Sequence, residues 1–363
     1  MRKILHLLFG CTVMLAAAVP CTAVQYEMID LGTLGGDSRA YGVSNGGHIA
    51  GLSSQGGVKA FLWDESTGMR NLGTLSGPYS EGYGVNAQGR VVGYSTTTSA
   101  QEHAFIWDET NGMRDLGTLS GGYSEAHAIN DFGQVVGESD GSAFMWSETS
   151  GLRALGLSAG IGGARGYAIS NSGMAAGSGG GTTFSNHAVT WDPEGNISDI
   201  GTLLQDHYSY ARGINDLGQV VGWSGRGLAP PQYASDQAFI WSSASGMRGL
   251  GTLPGSLMSY AYDINNHGQA VGYAFGAVPS TAFIWDEAGG MRALENLPGT
   301  TNSYAYAIND AGWIVGYSEE EGGNTHAVLW KPVPEPSGLL ALGSGLLALC
   351  LPCLRRRHRR CSG

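Results

Sequence analysis

Cysteine is absent from the body of this 363-residue chain. The five cysteines, Cys11, Cys21, Cys350, Cys353 and Cys361, all lie near the two ends, and none lies between residues 24 and 332. The body therefore has no disulfide bond, no thiolate metal ligand and no cysteine nucleophile. Cys350 and Cys353 have C-x-x-C spacing. Their position in an apolar stretch argues against a redox or zinc site.

Charged residues are also scarce, at 13% of the chain, and basic residues are the scarcer kind. Residues 24–332 hold 12 Lys and Arg against 29 Asp and Glu. This acidic body argues against a nucleic-acid partner, because such binding depends on neutralising phosphates. It favours simple solubility over cation binding. The chain also lacks helical periodicity, a His-Glu-x-x-His motif and a phosphate loop, so we predict no catalytic residue, no metal site and no cofactor.

A phrase of the form Ala-aromatic-x-Trp is repeated along the chain. It ends at seven tryptophans spaced 39–50 residues apart: Trp63, Trp107, Trp146, Trp191, Trp241, Trp285 and Trp330. A regular period of this length indicates one supersecondary unit stacked on copies of itself. Such an array offers one long surface with repeated pockets, and we expect it seldom to assemble one catalytic constellation.

Each repeat divides into four short strands. In the third copy, an alternating run at 126–130 leads through the turn Asn130-Asp131-Phe132-Gly133 into a β-branched run, and two further strands follow. Asn, Asp and Gly suit a tight turn because Asn and Asp bond their own backbone and Gly accepts positive φ. A calcium loop is the alternative, but the phrase lacks the series of carboxylates that such a loop needs. We interpret it as a structural turn.

Four strands per repeat, seven times, predict an all-β, seven-bladed β-propeller of four-stranded blades at residues 24–332. A lone strand of the fourth type, at 26–31, precedes the first full repeat, and the last repeat has only the first three types. The N-terminal strand is therefore expected to close the last blade as its outermost strand, which hides the sheet edges.

The innermost strands are expected to be those in which small residues flank one large residue. The large residues are Tyr41, Tyr83, His127, Tyr167, Arg212, Tyr262 and Tyr306. Small side chains suit strands that crowd around an axis, and we interpret the large ones as packing between blades rather than as a ligand platform. The aromatic residues of the Trp phrase are predicted to form the core between blades.

Both ends of the chain have the features of targeting segments. Residues 1–23 combine a basic start, an apolar run and small residues, which predicts a signal peptide. Residues 333–363 contain Pro334-Glu335-Pro336, a short apolar stretch that is marginal for a transmembrane helix, and a basic cluster beginning Arg355-Arg356-Arg357. This order resembles the PEP-CTERM sorting signal. The resemblance implies the secretion machinery and an exosortase as partners, transient anchoring in the bacterial inner membrane, and release to the cell surface or matrix. A plain membrane anchor is the alternative.

The repeats also resemble the HAF extracellular repeats, which are named for a His-Ala-Phe phrase ahead of the Trp. The phrase is complete at His103-Ala104-Phe105, and its first two residues recur at His187 and His326. The resemblance covers about residues 26–330 and implies an exported bacterial repeat protein without a known activity. The Trp-Asp pairs are similar to those of WD40 repeats, but the Gly-His partner phrase of that family is missing.

Topology gives the predicted propeller two unlike faces. The short Asn-x-x-Gly turns lie on one face, and the links between second and third strands, which vary most, lie on the other, here called the variable face. Variable loops on a rigid scaffold commonly bind ligands. The longest link, 224–237, indicates a speculative ligand site of Trp223, Arg226, Tyr233 and Asp236, in which an exposed aromatic ring could stack on a sugar; an ordinary surface loop is the alternative.

We therefore expect an exported, non-enzymatic surface or matrix protein that binds exopolysaccharide or a surface protein through the variable face. A purely structural matrix component is a second hypothesis, and a polysaccharide lyase or hydrolase with a site at the channel mouth is a third. Convergence of Asp or Glu with His and Arg on the variable face would count against the binding hypothesis.

Overall fold

The structure is a computed structural model that describes residues 24–333 except 55, 158–162, 180–185, 204–206, 226–235 and 277–278. The predicted signal peptide and sorting segment therefore lie outside the described residues. Every regular element in the described part is a β-strand. No helix there is long and apolar enough to cross a membrane.

Twenty-eight strands form seven four-stranded sheets. In chain order they are β1 (Tyr26–Asp30), β2 (Ser38–Val43), β3 (Ile49–Ser54), β4 (Val58–Asp64), β5 (Gly68–Asn71), β6 (Ser80–Val85), β7 (Val91–Thr96), β8 (Glu102–Asp108), β9 (Gly112–Gly117), β10 (Ser124–Ile129), β11 (Val135–Ser139), β12 (Ser142–Ser147), β13 (Gly151–Ala154), β14 (Arg165–Ile169), β15 (Ala175–Gly179), β16 (His187–Trp191), β17 (Ile197–Gly201), β18 (Tyr208–Ile214), β19 (Val220–Gly225), β20 (Gln237–Ser242), β21 (Gly246–Gly251), β22 (Ser256–Ile264), β23 (Ala270–Gly276), β24 (Thr281–Asp286), β25 (Gly290–Ala293), β26 (Thr300–Ile308), β27 (Ile314–Glu320) and β28 (Thr325–Pro332).

The sheets are the blades of a seven-bladed propeller, as predicted. Blades 1 to 6 each take four consecutive strands, from β2–β5 to β22–β25, in chain order from the axis outward. Blade 7 has the order β26-β27-β28-β1, so the first strand of the chain pairs with the last. The pairing is antiparallel and runs from Tyr26 opposite Pro332 to Asp30 opposite Val328. The predicted closure of the ring is confirmed.

Seven apolar clusters fill the seven gaps between neighbouring blades. Between blades 7 and 1, for example, Phe61 and Trp63 pack with Val315 and Leu329. The phenylalanines and tryptophans of the repeated phrase are buried in these clusters or packed against them. The predicted inter-blade core is therefore confirmed, and no blade has an apolar core of its own.

A buried serine ties each blade to the next at six of the seven junctions. Ser80 Oγ, at the start of the inner strand of blade 2, donates to the carbonyl of Gly73 at 2.6 Å and accepts the backbone N–H of Ala60 in blade 1 at 2.9 Å. The equivalent serines are Ser38, Ser124, Ser209, Ser259 and Ser303. Blade 4 has Ala164 at this position instead.

We predict that Ser80→Ala lowers the free energy of unfolding by about 1–3 kcal/mol, because it leaves the buried Ala60 N–H without an acceptor. Chemical denaturation at fixed pH measures the effect. The control is Ser66→Ala on an exposed turn, which should cost less than about 0.5 kcal/mol. Equal losses in both variants would show that the inter-blade bond is not a specific source of stability.

Candidate active site at the channel mouth

The innermost strands approach one another so closely that most positions facing the next blade admit only Gly or Ala. A Cβ added to Gly42 would lie 2.7 Å from the carbonyl oxygen of Tyr83 in the next blade, and one added to Gly84 would lie 3.0 Å from Cα of Ala128. The predicted crowding of small residues around the axis is confirmed. The exception is Asp263, which occupies this position in blade 6.

Every innermost strand carries a β-bulge at its large residue. In blade 1, Ala40 pairs with Gly51 and Gly42 pairs with Ala50, so Tyr41 has no cross-strand partner. A bulge re-aims the side chain of the extra residue, and here the seven side chains line the central channel. We call them the channel ring: Tyr41, Tyr83, His127, Tyr167, Arg212, Tyr262 and Tyr306. They contact their neighbours across the blades, as predicted for packing residues, but they do so in the channel and not in the apolar core between blades.

Neighbouring members of the channel ring touch one another around the full circle. Their aromatic centroids lie 4.7–5.7 Å apart where two rings are adjacent. The Arg212 guanidinium completes the circle, 3.9 Å from the centroid of Tyr167 and 5.6 Å from that of Tyr262. Burial raises the pKa of Tyr41 to about 12, so this phenol stays neutral. The ring is a continuous polar constriction of the channel.

A cavity of about 230 Å³, here called the chamber, adjoins the channel ring on the side of the Asn turns. Valine and isoleucine side chains form much of its wall, and Asp263 is its one carboxyl group. Asp263 accepts the backbone N–H groups of Ile264 at 2.8 Å and Ile308 at 2.9 Å. Desolvation raises the pKa of Asp263 to about 7 in spite of these bonds. Half of the Asp263 side chains are therefore protonated near neutral pH.

The Asn-x-x-Gly turns surround the channel mouth on the face opposite the variable face, and they bond the blades together. Asn130 Oδ1 accepts the N–H groups of Phe132 and Gln134 in its own turn, while Nδ2 donates to the Ser170 carbonyl of the next blade. This double role confirms the structural turn. The described residues hold no group of His, Cys, Asp and Glu arranged to bind a metal.

The residue that follows the turn Asn, or Ser44 and Ser170 in blades 1 and 4, builds a second set of hydrogen bonds around this mouth. Carboxylates and amides alternate over six blades, in the order Asp131, Asn171, Asp216, Asn266, Asp310 and Asn45. Asn171 and Asn266 each donate to the carboxylates on both sides. Alternation of acceptors and donors needs an even number of positions, and the seventh blade in the circle has Ala87 instead.

The mouth on the variable face is divided into an aromatic half and a charged half. Its inner-strand residues lie two positions before the channel ring: Arg39, Glu81, Glu125, Arg165, Tyr210, Tyr260 and Tyr304. Blades 5 to 7 thus contribute tyrosines, and blades 1 to 4 contribute charged residues. The sevenfold repeat is broken here and not in the inter-blade core.

Trp223 belongs to the aromatic half. Its ring lies 5.5 Å from that of Tyr210 and 5.3 Å from that of Tyr260, and the chain of contacts continues through Tyr273 to Tyr304. Asp236 borders this half and accepts the hydroxyl groups of Tyr208 at 2.6 Å and Tyr260 at 3.1 Å. The structure therefore brings two predicted site residues, Trp223 and Asp236, to one cluster. The other two, Arg226 and Tyr233, lie outside the described residues.

Glu125 is central to the charged half. It stands directly across the strand pair from Glu138, so both side chains are on the same side of the sheet. Burial, with the nearby charges of Glu102 and Glu138, raises the pKa of Glu125 to about 7. Glu138 is only 4% exposed and bonds to the Arg165 guanidinium and the Tyr123 hydroxyl. A carboxyl group with a raised pKa thus lies opposite a second carboxyl group that is bonded to an arginine and a phenol.

Glu81 lies on the other side of Glu125, in blade 2. Its carboxylate accepts the hydroxyl groups of Tyr83 at 3.1 Å and Tyr94 at 3.0 Å. Two phenols therefore fix its orientation without neutralising its charge. His127 is two residues beyond Glu125 on the same strand, and burial lowers the pKa of His127 to about 3, which keeps the imidazole neutral.

The histidines of the His-Ala-Phe phrase lie away from this site. His103 Nδ1 pairs with Asp115 and His187 Nδ1 pairs with Asp199, each at 2.8 Å, between the third and fourth strands of a blade. The blades that lack this histidine also lack the aspartate. In blade 1 the two positions hold Lys59 and Asn71, and in blade 3 they hold Ser142 and Ala154. The phrase is therefore explained by strand pairing.

Sequence reasoning missed Glu125, Glu138 and Arg165. A signal for Glu125 and Arg165 was present in the repeats, because the position two residues before the channel ring is aromatic in three copies and charged in four. Only the bulges show that this position faces the same channel as His127 and Arg212.

No protein-family model and no curated protein matches the chain. Solved structures of β-propellers share its fold, and three of them illustrate the similarity. The β-propeller domain of the Trilobed protease from Pyrococcus furiosus has a TM-score of 0.55 and 10% identity, covering 81% of this chain and 94% of that one. Virginiamycin B lyase from Staphylococcus aureus has a TM-score of 0.54 and 10% identity, covering 84% and 99%. Puromycin hydrolase has a TM-score of 0.53 and 15% identity, covering 82% of this chain but only 52% of that one.

These structures correct the expectation of a non-enzymatic protein. Its premise, that an array of repeats seldom assembles a catalytic site, is wrong for this fold, because a lyase is matched over almost its whole length. At such low identity the comparison establishes the fold and not the reaction. The convergence of Glu125 and Glu138 with Arg165 on the variable face, above His127 in the channel ring, also counts against a purely binding surface.

We predict that Asp263→Ala gains stability relative to the native chain as the pH rises. The folded-state pKa of about 7 lies above the ordinary 3.8, so the folded state binds more protons between those values, and native stability falls as the pH rises through that window. The alanine variant lacks this loss. From pH 5 to pH 8 the difference in free energy of unfolding should move by about 2–3 kcal/mol in favour of the variant.

Urea denaturation of both proteins at the two pH values measures this shift. Taking the difference between variant and native chain removes the titration of other groups, including His127. A difference that is the same at both pH values would show that Asp263 is ionised throughout.

Proposed function

We propose that the protein is an enzyme that cleaves polysaccharide chains at the variable-face mouth of its channel, by hydrolysis. The observation that carries the proposal is the Glu125 carboxyl group, which retains its proton near neutral pH while its cross-strand neighbour Glu138 is bound to Arg165. Environments that separate the protonation of neighbouring carboxyl groups are the arrangement that glycoside hydrolysis uses.

The aromatic half of the mouth supports a sugar substrate. Trp223, Tyr260 and Tyr273 form a continuous aromatic wall with hydroxyl groups at its edge. Aromatic faces pack against the apolar faces of sugar rings, and the phenol and indole polar atoms can bond sugar hydroxyls. A chain lying on this wall passes across the channel toward Glu125.

The residues divide the chemical step between them. Glu125 donates its proton to the glycosidic oxygen as the bond to the anomeric carbon breaks. A water molecule adds to that carbon, and Glu81, held by two phenols, takes the proton that the water releases. Glu138 is too deeply buried to reach the sugar, so it acts as a positioning residue whose charge helps Glu125 keep its proton.

Export to the cell surface or matrix remains part of the proposal. It is supported by the signal-like segment 1–23 and the segment that contains Pro334-Glu335-Pro336 and the arginine cluster. An exosortase and the secretion machinery would then be the partners, and an exopolysaccharide outside the cell would be within reach of the mouth.

We expect Glu125→Gln to reduce cleavage of a polysaccharide panel by at least about 100-fold, because the amide cannot donate the proton. New reducing ends measure hydrolysis, and unsaturated chain ends would identify a lyase. Glu109→Gln is the matched control, since Glu109 is exposed and pairs with Arg70 on the rim of the other face; it should leave the rate unchanged.

Two results would contradict the proposal. One is native-level release of reducing ends by the Glu125→Gln variant. The other is retention of polymers by the native protein with no new chain ends at any pH between 5 and 8.

A further inference from the structure

Arg212 is the one cation in the channel ring. Five of the other six positions are tyrosine. The Arg212 guanidinium carbon lies 3.9 Å from the centroid of Tyr167, 5.0 Å from that of Trp223 and 5.6 Å from that of Tyr262. The faces of the guanidinium are therefore covered by aromatic rings, which accounts for its place in the wall.

The Nε–H group of this guanidinium is not satisfied. Arg212 Nε is buried without a hydrogen-bond partner, and no carboxylate among the described residues pairs with Arg212. The other mouth arginines differ, because Arg165 pairs with Glu138 and Arg39 Nε donates to Thr325 at 3.4 Å. A buried charge ordinarily has an ionic or hydrogen-bonding partner, so Arg212 lacks an anionic acceptor.

A second unsatisfied group belongs to the same wall. His127 Nε2 is buried without a partner. The imidazole and the guanidinium lie on opposite sides of Tyr167, since the His127 ring is 5.2 Å from that of Tyr167. Both side chains line the chamber. His127 lies below the charged half of the mouth, on the strand of Glu125, and Arg212 lies below the aromatic half, on the strand of Tyr210.

We propose that Arg212 and His127 form a subsite for the carboxylate of a uronic acid residue, which makes an acidic polysaccharide the substrate. The inference rests on the proposed function and deepens it. The planar guanidinium matches the two oxygens of a carboxylate, and His127 offers a second N–H in one tautomer.

The charges at the mouth are compatible with such a substrate. Burial raises the pKa of Glu125 to about 7, so its negative charge is reduced near neutral pH, and Glu138 forms an ion pair with Arg165. An entering carboxylate therefore meets Arg39 and Arg212 as well as Glu81, and is not repelled from the mouth as a whole.

The test uses small probes, so that it does not depend on the linkage of the natural polymer. Galacturonate and glucuronate are titrated against galactose and glucose, with the Arg212 Nε–H signal in nitrogen-15 NMR as the readout. The protein is the full chain carrying Glu125→Gln. We expect a uronate to shift this signal and to bind at least tenfold more tightly than its neutral counterpart.

Variants assign the preference to a residue. Arg212→Gln should abolish the uronate preference, measured by calorimetry, while Arg212→Lys should retain part of it. Arg70→Gln is the matched control, since Arg70 pairs with Glu109 on the other face, and it should keep the preference. Circular dichroism verifies folding. No preference for either uronate, or equal loss of it in the Arg70 and Arg212 variants, would overturn the inference.

The proposed reaction and the proposed subsite can be disproved independently. Cleavage that survives Glu125→Gln would remove the proposed reaction and leave a measured uronate preference in place. Equal binding of uronate and neutral sugar would remove the subsite and leave the loss of cleavage in the Glu125 variant unaffected.

Discussion

Seven inner strands crowd around one axis, and this crowding determines where side chains can go. A methyl group added at Gly42 or Gly213 would come within 2.7 Å of the next blade, so the inner strands have almost no room for side chains between blades. The large side chain of each repeat lies at a β-bulge, which directs it toward the channel. The same steric limit that closes the propeller therefore furnishes its channel with tyrosines, one histidine and one arginine.

The repeat is strict where it supports the ring and relaxed where it faces the channel mouth. The buried serines, the phenylalanine and tryptophan cores and the turn asparagines recur in nearly every blade because each one joins two neighbouring blades. The mouth residues also contact neighbouring blades, but through contacts that differ from blade to blade, such as the Arg165–Glu138 ion pair and the contact between the rings of Tyr273 and Tyr304. Blades 1 to 4 carry charges at this position, among them Glu125, and blades 5 to 7 carry tyrosines. The proposed function uses the positions that differ among the blades.

The fold could be predicted because the repeats have a regular period, a common turn phrase and recognisable strands. The lone strand at 26–30 precedes the first blade, and the last repeat has three strands, so the two together complete the seventh blade. The site could not be predicted, since Tyr41 and its equivalents alternate with small residues in the same way as packing residues do. Only the register shift at the bulge distinguishes the two cases. Trp223 and Asp236 were found from the length of the following link, which is a property of the loop, whereas Glu125 sits inside a regular strand and has no such signal.

The proposed hydrolysis depends on the protonation state of Glu125. If Glu125 is the acid, its carboxyl must remain protonated well above the ordinary range for glutamate, because burial and the charges of Glu102 and Glu138 disfavour its ionised form. The most direct measurement is the titration of the Glu125 carboxyl carbon by carbon-13 NMR in the native protein, with assignment from the Glu125→Gln spectrum. The account predicts a midpoint near pH 7. A midpoint near 4.5, the ordinary value for glutamate, would contradict it.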